Sequence, residues 1–310
     1  MSEPVYYTST PTDPYPGSVG GRSTLIQLGD GRILERCQTE GGSVITLVTL
    51  QPEGGLERVD VTPAPGTPGH TLLDTETVYP GVRAGGRVYF LVPEGESGTL
   101  VSLDIQTHTW DVEEIGATGW NSVPNLSGWN SVPNLSGYQV LLYMEGRLVL
   151  VTSPSDMWSL DPSTPSDGWT LLPHSTHECL NRMTLVQMGD KAYGLVYDCM
   201  YTYTPRAGWV VESEFTKNFG HDNLNTPLHP MGRHLLLFYV VSELTRTGID
   251  YAYRVAAYDT HTCQWHQWGK VEELIYHVPQ QKYVFSDACT VVVETEGAPG
   301  TVLRFNKDIV

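Results

Sequence analysis

Gly98-Thr-Leu-Val-Ser-Leu-Asp-Ile-Gln-Thr-His-Thr-Trp110 decides how the rest of the chain is read. A short apolar run ends in an acid, a polar turn follows, and a Trp opens the next extended run. The figure returns as Val255-Ala-Ala-Tyr-Asp259-Thr-His-Thr-Cys-Gln-Trp265, with the same Asp-to-Trp spacing. A looser copy runs from Met157 through Leu160 and Asp161 to Trp169, and a degraded one from Met200 through Tyr203 and Thr204 to Trp209. Upstream of each lies a second figure, a Gly-centred turn, a basic residue and an apolar run. Gly85-Gly86-Arg87-Val88, Glu145-Gly146-Arg147-Leu148, Gly189-Asp190-Lys191-Ala192, Gly232-Arg233-His234 and Asp30-Gly31-Arg32-Ile33 are the copies.

A further echo fixes the period. Arg22-Ser-Thr-Leu-Ile-Gln-Leu-Gly-Asp30 and Arg182-Met-Thr-Leu-Val-Gln-Met-Gly-Asp190 share six of their nine residues. Strand-sized units recurring at roughly 40–60 residues are the signature of propeller blades. The first unit is expected to use Ser23–Leu28, Gly31–Cys37, Ser43–Leu50 and Leu56–Thr62. The others run from Thr77 to Ile115, Tyr138 to Leu172, Arg182 to Val211 and Thr226 to Lys270. The last segment offers only Tyr283–Ser286, Cys289–Thr295 and Thr301–Asn306, so Val5–Thr10 is expected to supply its missing outer strand, because an open ring leaves exposed edges. The expected fold is therefore all-β, a single domain over residues 1–310: a six-bladed β-propeller of four-stranded antiparallel blades closed by the N-terminal strand. Pro63-Ala-Pro-Gly-Thr-Pro-Gly is read as loop, and no helix is expected.

Composition agrees with short strands and tight turns: 17% charged residues, 31 Gly and 21 Pro in 310 residues. A net charge of −17 disfavours nucleic acid and anionic membrane, both of which need a positive surface, while a protein partner stays open. The five cysteines (Cys37, Cys179, Cys199, Cys263, Cys289) include no CxxC, the N-terminus lacks a basic and apolar leader, and no apolar run has membrane-spanning length. A reduced, cytoplasmic protein with free thiols is the expectation. A tandem repeat, Gly119-Trp-Asn-Ser-Val-Pro-Asn-Leu-Ser127 followed by an identical Gly128–Ser136, is expected to bulge as a surface loop, which costs little entropy. Its two Asn-Leu-Ser sequons are expected to go unused without a secretory route.

The repeats resemble those of kelch-repeat β-propellers. The positions that carry the resemblance are Leu103/Asp104/Trp110, Leu160/Asp161/Trp169, Tyr203/Trp209 and Tyr258/Asp259/Trp265. The kelch double glycine after the second strand is missing, and the first and last units lack the Trp. The resemblance implies Trp and Tyr packed between blades and, as function, a protein-interaction module that binds through loops on one face. Two alternatives come with it. One is a propeller enzyme with a channel-mouth site, of the sugar mutarotase or metal-assisted lyase type. The other is a cytoskeleton-associated structural propeller.

No catalytic signature is present: no GxSxG, HExxH, P-loop or GxGxxG. Glu113-Glu114 and Glu272-Glu273 face opposite ways on a strand and make poor acid–base pairs. His174-Ser-Thr-His177-Glu-Cys179 has ligand types but no second cluster to complete a metal site, and His261-Thr-Cys263-Gln-Trp-His266 reads as a turn. No cofactor or metal is expected. Arg22 and Arg182 enter inner strands at matching positions and Arg83 precedes Gly85. The resemblance implies a channel-rim role for such arginines, against the simpler reading that each pairs with a neighbouring blade's carboxylate. Within a blade, the loop between strands two and three and the loop to the next blade share one side. The segments 63–76, 116–137, 173–181, 213–225 and 242–250 are assigned to that side and are long. Their candidate contact residues are Trp129, His177, Phe219, His221 and Arg246. The expected partner is a protein or peptide with an acidic or polar segment reaching Arg22, Arg83 and Arg182.

Overall fold

The computed structural model describes residues 7–12, 23–28, 30–39, 42–51, 56–74, 81–94, 97–115, 140–151, 157–172, 184–196, 199–214, 228–245, 248–270, 281–287, 290–295 and 300–305. Among the described residues, all regular structure but one short helix and a 3-10 turn is strand, arranged as antiparallel four-stranded sheets. The first blade is β2 (Ser23–Gln27), β3 (Arg32–Thr39), β4 (Gly42–Leu50) and β5 (Leu56–Asp60). The second is β6 (Val82–Ala84), β7 (Arg87–Glu94), β8 (Ser97–Asp104) and β9 (Trp110–Ile115). The third is β10 (Val140–Met144), β11 (Arg147–Val151), β12 (Met157–Leu160) and β13 (Thr170–Leu171). The fourth is β14 (Thr184–Met188), β15 (Lys191–Val196), β16 (Cys199–Thr204) and β17 (Gly208–Glu214). The fifth is β18 (Leu228–Met231), β19 (His234–Thr245), β20 (Gly248–Asp259) and β21 (Gln264–Lys270).

Here the expected count needs correction. Five blades, not six, are built from four consecutive strands. The remaining sheet differs in kind, because its order is β1-β24-β23-β22 and it is drawn from both ends of the chain. Its strands are β1 (Tyr7–Thr12), β22 (Gln281–Asp287), β23 (Thr290–Thr295) and β24 (Gly300–Phe305). β1 lies along the whole of β24, from Tyr7↔Phe305 to Thr12↔Gly300. Inner strands β2, β6, β10, β14, β18 and β22 neighbour one another in that circular order, with β22 also against β2.

The core lies between sheets, as stacked pleated faces require. Val82, Leu91 and Leu100 of the second blade pack with Leu141, Leu148, Trp158 and Trp169 of the third. Met144, Val149 and Met157 of the third pack with Ala192, Tyr203 and Trp209 of the fourth. Of the repeat Trp residues, Trp169, Trp209 and Trp265 are buried. Trp110 is only half-buried; its indole N–H donates to the Val61 carbonyl of the first blade at 2.7 Å.

Three local expectations are corrected. The 63–75 stretch holds a helix, α1 (Pro68–Leu73), begun by Thr67, whose hydroxyl accepts the His70 N–H, with Pro68 in the first turn, where its missing N–H costs nothing. Residues 242–250 are no long loop: β19 and β20 pair out to Thr245↔Gly248, a long hairpin. The closing strand, expected over Val5–Thr10, runs on to Thr12 and is described from Tyr7; Val5 and Tyr6 lie outside the described residues. Cys37, Cys199 and Cys263 are not joined in disulfides; Cys179, Cys289 and the duplicated segment lie outside the described residues.

Two buried histidines give the fold a pH dependence. Burial pushes His229 down to about 3. His234 is 2% exposed, and burial lowers its pKa despite Asp259, whose Oδ2 lies 3.7 Å from Nε2. Arg233 and His266 also oppose the charged imidazole. A depressed folded-state pKa means the unfolded chain binds the proton more tightly. The contribution of both residues is therefore present above the unfolded value of about 6.5 and is lost as pH falls below it. The melting temperature should fall between about pH 6.5 and 5, and His234→Gln should flatten that slope. A wild-type melting curve unchanged over this window would refute the assignment.

Candidate functional site

The two ends of the ring differ. At one end the turns are pinned by the repeated motif. Asp104 accepts the N–H groups of Gln106 (2.9 Å) and Thr107 (3.0 Å), and its carbonyl accepts the N–H of His108 at 2.9 Å. Asp259 does the same with His261 (2.8 Å), Thr262 (3.3 Å) and Cys263 (2.8 Å). His108 and Cys263, four residues after the acid, take left-handed φ values of 56° and 55°. The fourth blade keeps the geometry with other residues: the Thr204 hydroxyl accepts the Ala207 N–H and Gly208 takes the positive φ. In the third blade Asp161 caps Ser163, and a 3-10 turn over Pro165–Asp167 accounts for the longer spacing to Trp169. Backbone N–H donors hold the Asp104 carboxyl below its ordinary range. Asp161 is held low by the Ser163 hydroxyl and N–H. His261 and Cys263 are thus turn residues, and among the described residues no three His, Cys, Asp or Glu side chains converge as a metal site would require.

Arg83 lies at this pinned end. Its Nε donates to the Gly85 carbonyl at 3.0 Å, and its Nη1 is 3.5 Å from Asp30 Oδ2 in the first blade. Asp30 also holds Arg32 at 2.9 Å, and the two guanidiniums overcome the burial that would raise its pKa. Gln187 repeats the arrangement one pair of blades on. It donates to the Gly189 carbonyl two residues ahead at 3.0 Å, accepts the Tyr143 N–H of the third blade at 2.7 Å and donates to the Tyr143 carbonyl. In the second and fourth blades the position two before the turn glycine is therefore an inter-blade clasp. Sequence reasoning passed over Gln187 and its counterpart Gln27, although both recur in the nonapeptide echo.

Antiparallel alternation sends the second-to-third-strand turns and the blade-to-blade connections to the opposite end. The connections occupy 61–81, 116–139, 172–183, 215–227 and 271–280. The first is tied down. The Leu73 carbonyl, at the end of α1, accepts Arg36 Nη2 at 2.8 Å and Ser43 Oγ at 2.6 Å, and Asp74 Oδ1 accepts the Ser43 N–H at 2.7 Å. Gly42, at φ 117°, permits this approach, since a Cβ there would stand 2.6 Å from Asp74 Oδ1. Trp129, His177, Phe219 and His221 fall on the remaining connections, Arg22 and Arg182 just before β2 and β14, and Arg246 in the β19–β20 turn; all seven lie outside the described residues.

No protein-family model matches the chain. No curated protein matches it either. Solved structures do. A putative exported protein from Bacteroides fragilis is similar at 9% identity over 97% of this chain and 94% of its own, with a TM-score of 0.51. The extracellular domain of a putative one-component system from B. thetaiotaomicron matches at 12% identity and TM-score 0.44; this chain is covered to 96% and spans 40% of that one. The β-propeller domain of the Trilobed protease from Pyrococcus furiosus matches at 10% identity over 96% of this chain and 82% of its own, TM-score 0.41. Identities this low bear on architecture alone; it is the chain's own ring of four-stranded antiparallel sheets that makes it a β-propeller.

Proposed function

We propose that this chain is a protein-interaction module with kelch-like repeats, which holds a protein or peptide partner over the end that carries the blade-to-blade connections. One observation supports the reading above others. The strands that flank the blade-to-blade connections direct them to one end of the ring, while the described turns at the other end are short and hydrogen-bonded. Long segments on a rigid frame are where recognition residues concentrate. α1, clamped by Arg36 and Ser43, gives that end one fixed contact surface. Arg22 and Arg182 remain the basic residues offered to an acidic or polar partner segment. Arg83 is withdrawn from that set, because Asp30 and the Gly85 carbonyl engage it.

The test is cross-linking mass spectrometry on partners retained from native extract, followed by substitution. Cross-links should map to 61–81, 116–139, 172–183 and 215–227. Trp129→Ala with Phe219→Ala should weaken binding by tenfold or more, as loss of hot-spot aromatics does, about 1.4 kcal/mol per decade. The melting temperature should not move. Cross-links confined to the turns at Gly85, Glu145 and Asp104 would overturn the reading.

A further inference from the structure

A polar cleft of about 400 Å³ opens between the second and third blades. It lies at the pinned end, so it is separate from the connection face and its test stands apart from that of the proposed function. Strand register builds its floor. Tyr89 pairs across to Ser102 and Ser102 to Asp111, while Leu100 pairs with Glu113 two positions along, on the same face. Pro162 and Ser163, in the turn that Asp161 caps, form the far wall.

The charges in the cleft do not balance. Arg87 Nη1 donates to Asp111 Oδ2 at 2.5 Å and to the Ser102 hydroxyl at 3.0 Å. That pair neutralises itself. Glu113 remains, with no ion-pair partner among the described residues. Beside it stands the ring of Tyr89, whose phenol burial keeps protonated. Leu100 and Pro162 supply apolar wall. An unmatched carboxylate, an aromatic face and an apolar wall complement one positive charge on an aliphatic stem. The carboxylate pairs the charge, the ring attracts it, and the wall covers the methylenes. The net charge of −17 favours the approach of cations.

We propose that this cleft receives a single cationic side chain, arginine or lysine, from a partner protein. Free small amines share that chemistry, so the experiment carries both. ¹⁵N–¹H spectra of the full chain would be titrated with three probes. They are a capped Gly/Ser peptide containing one Arg, the same peptide with neutral citrulline, and N-acetyl-arginine amide. The Arg peptide should shift amides around residues 89, 102, 111–113 and 163 with millimolar affinity, the citrulline peptide should not, and added salt should weaken the response. Glu113→Gln should lower affinity roughly threefold to fivefold, the size of a partly exposed ion pair. Glu113→Arg should abolish binding, and both substitutions sit on an exposed side chain. Equal shifts from the citrulline peptide, or no shifts up to about 20 mM, beyond the weakest useful affinity, would overturn the proposal. Equal affinity for the free amide would assign the cleft to small amines and overturn the partner assignment.

Discussion

Deleting residues 1–12 should cost this protein most of its stability margin. β1 is the outer strand of the one sheet that joins the two ends of the chain, and it pairs with β24 from Tyr7↔Phe305 to Thr12↔Gly300. Without it, the N–H and C=O groups of β24 become an open edge, a template for pairing with other chains. The loss does not stay local. Leu303 and Phe305 on β24 are buried, and the Phe305 ring stands 5.4 Å from Trp268 of the fifth blade. At about 1 kcal/mol net per ladder hydrogen bond, a strand of this length contributes roughly 5 kcal/mol. At about 2–4 °C per kcal/mol, the melting temperature should drop by roughly 10 °C or more. Light scattering should show concentration-dependent aggregation of the truncated chain. Adding a peptide of residues 1–12 should restore part of the lost stability. An unchanged melting temperature would mean that β1 does not hold the sheet.

The repeat grammar was legible because turn chemistry is local. An Asp that caps the N–H groups two and three residues on, a left-handed residue four later and a Trp beyond it are constraints within a dozen residues. Thr204 and Gly208 show how far the letters can drift while the geometry stays. Other features were set by contacts distant in sequence. Three prolines around residue 65 argue against a strand, and none forms there; that the next residues would coil as α1 depends on Arg36 and Ser43, some thirty residues away, donating to the Leu73 carbonyl at its end. Arg83 shows a subtler failure. Arg22 and Arg182 stand eight residues before the turn acid (30 − 22; 190 − 182), upstream of β2 and β14 in the sequence. Arg83 stands two before its turn glycine, on a strand only three residues long, and so belongs to the pinned end. The offset was readable, and it carried more information than the residue type. The inter-blade cleft had no sequence signal, because Glu113 and Pro162 meet only when two blades stack.

Trp→Ala at positions 169, 209 and 265 should be the most damaging single substitutions. Trp209 and Trp265 lie opposite their own third strands, and all three Trp residues face the blade before. Trp209 pairs with Tyr203, ring centroids 5.1 Å apart, and packs with Leu142, Met144 and Val149 of the third blade. Trp265 pairs with Tyr258 at 5.3 Å and packs with Tyr193 and Leu195 of the fourth. Trp169 joins Leu91 and Leu100 of the second blade. Truncation would open a cavity between two sheets that their own ladders hold in place and that cannot collapse freely. Each should therefore cost about 3–5 kcal/mol. Trp110 offers an internal contrast. It is half-buried, and its particular bond is the indole N–H to the Val61 carbonyl. Trp110→Phe keeps most of the ring contact with Phe90, 5.9 Å away, and removes that hydrogen bond, for about 1 kcal/mol. Trp209→Phe and Trp265→Phe should fall between the two, since the smaller ring leaves part of the gap unfilled. Denaturant unfolding of these variants orders them directly. If Trp110→Phe proves as costly as Trp265→Ala, the Trp110–Val61 hydrogen bond, rather than aromatic filling, sets the strength of this inter-blade contact.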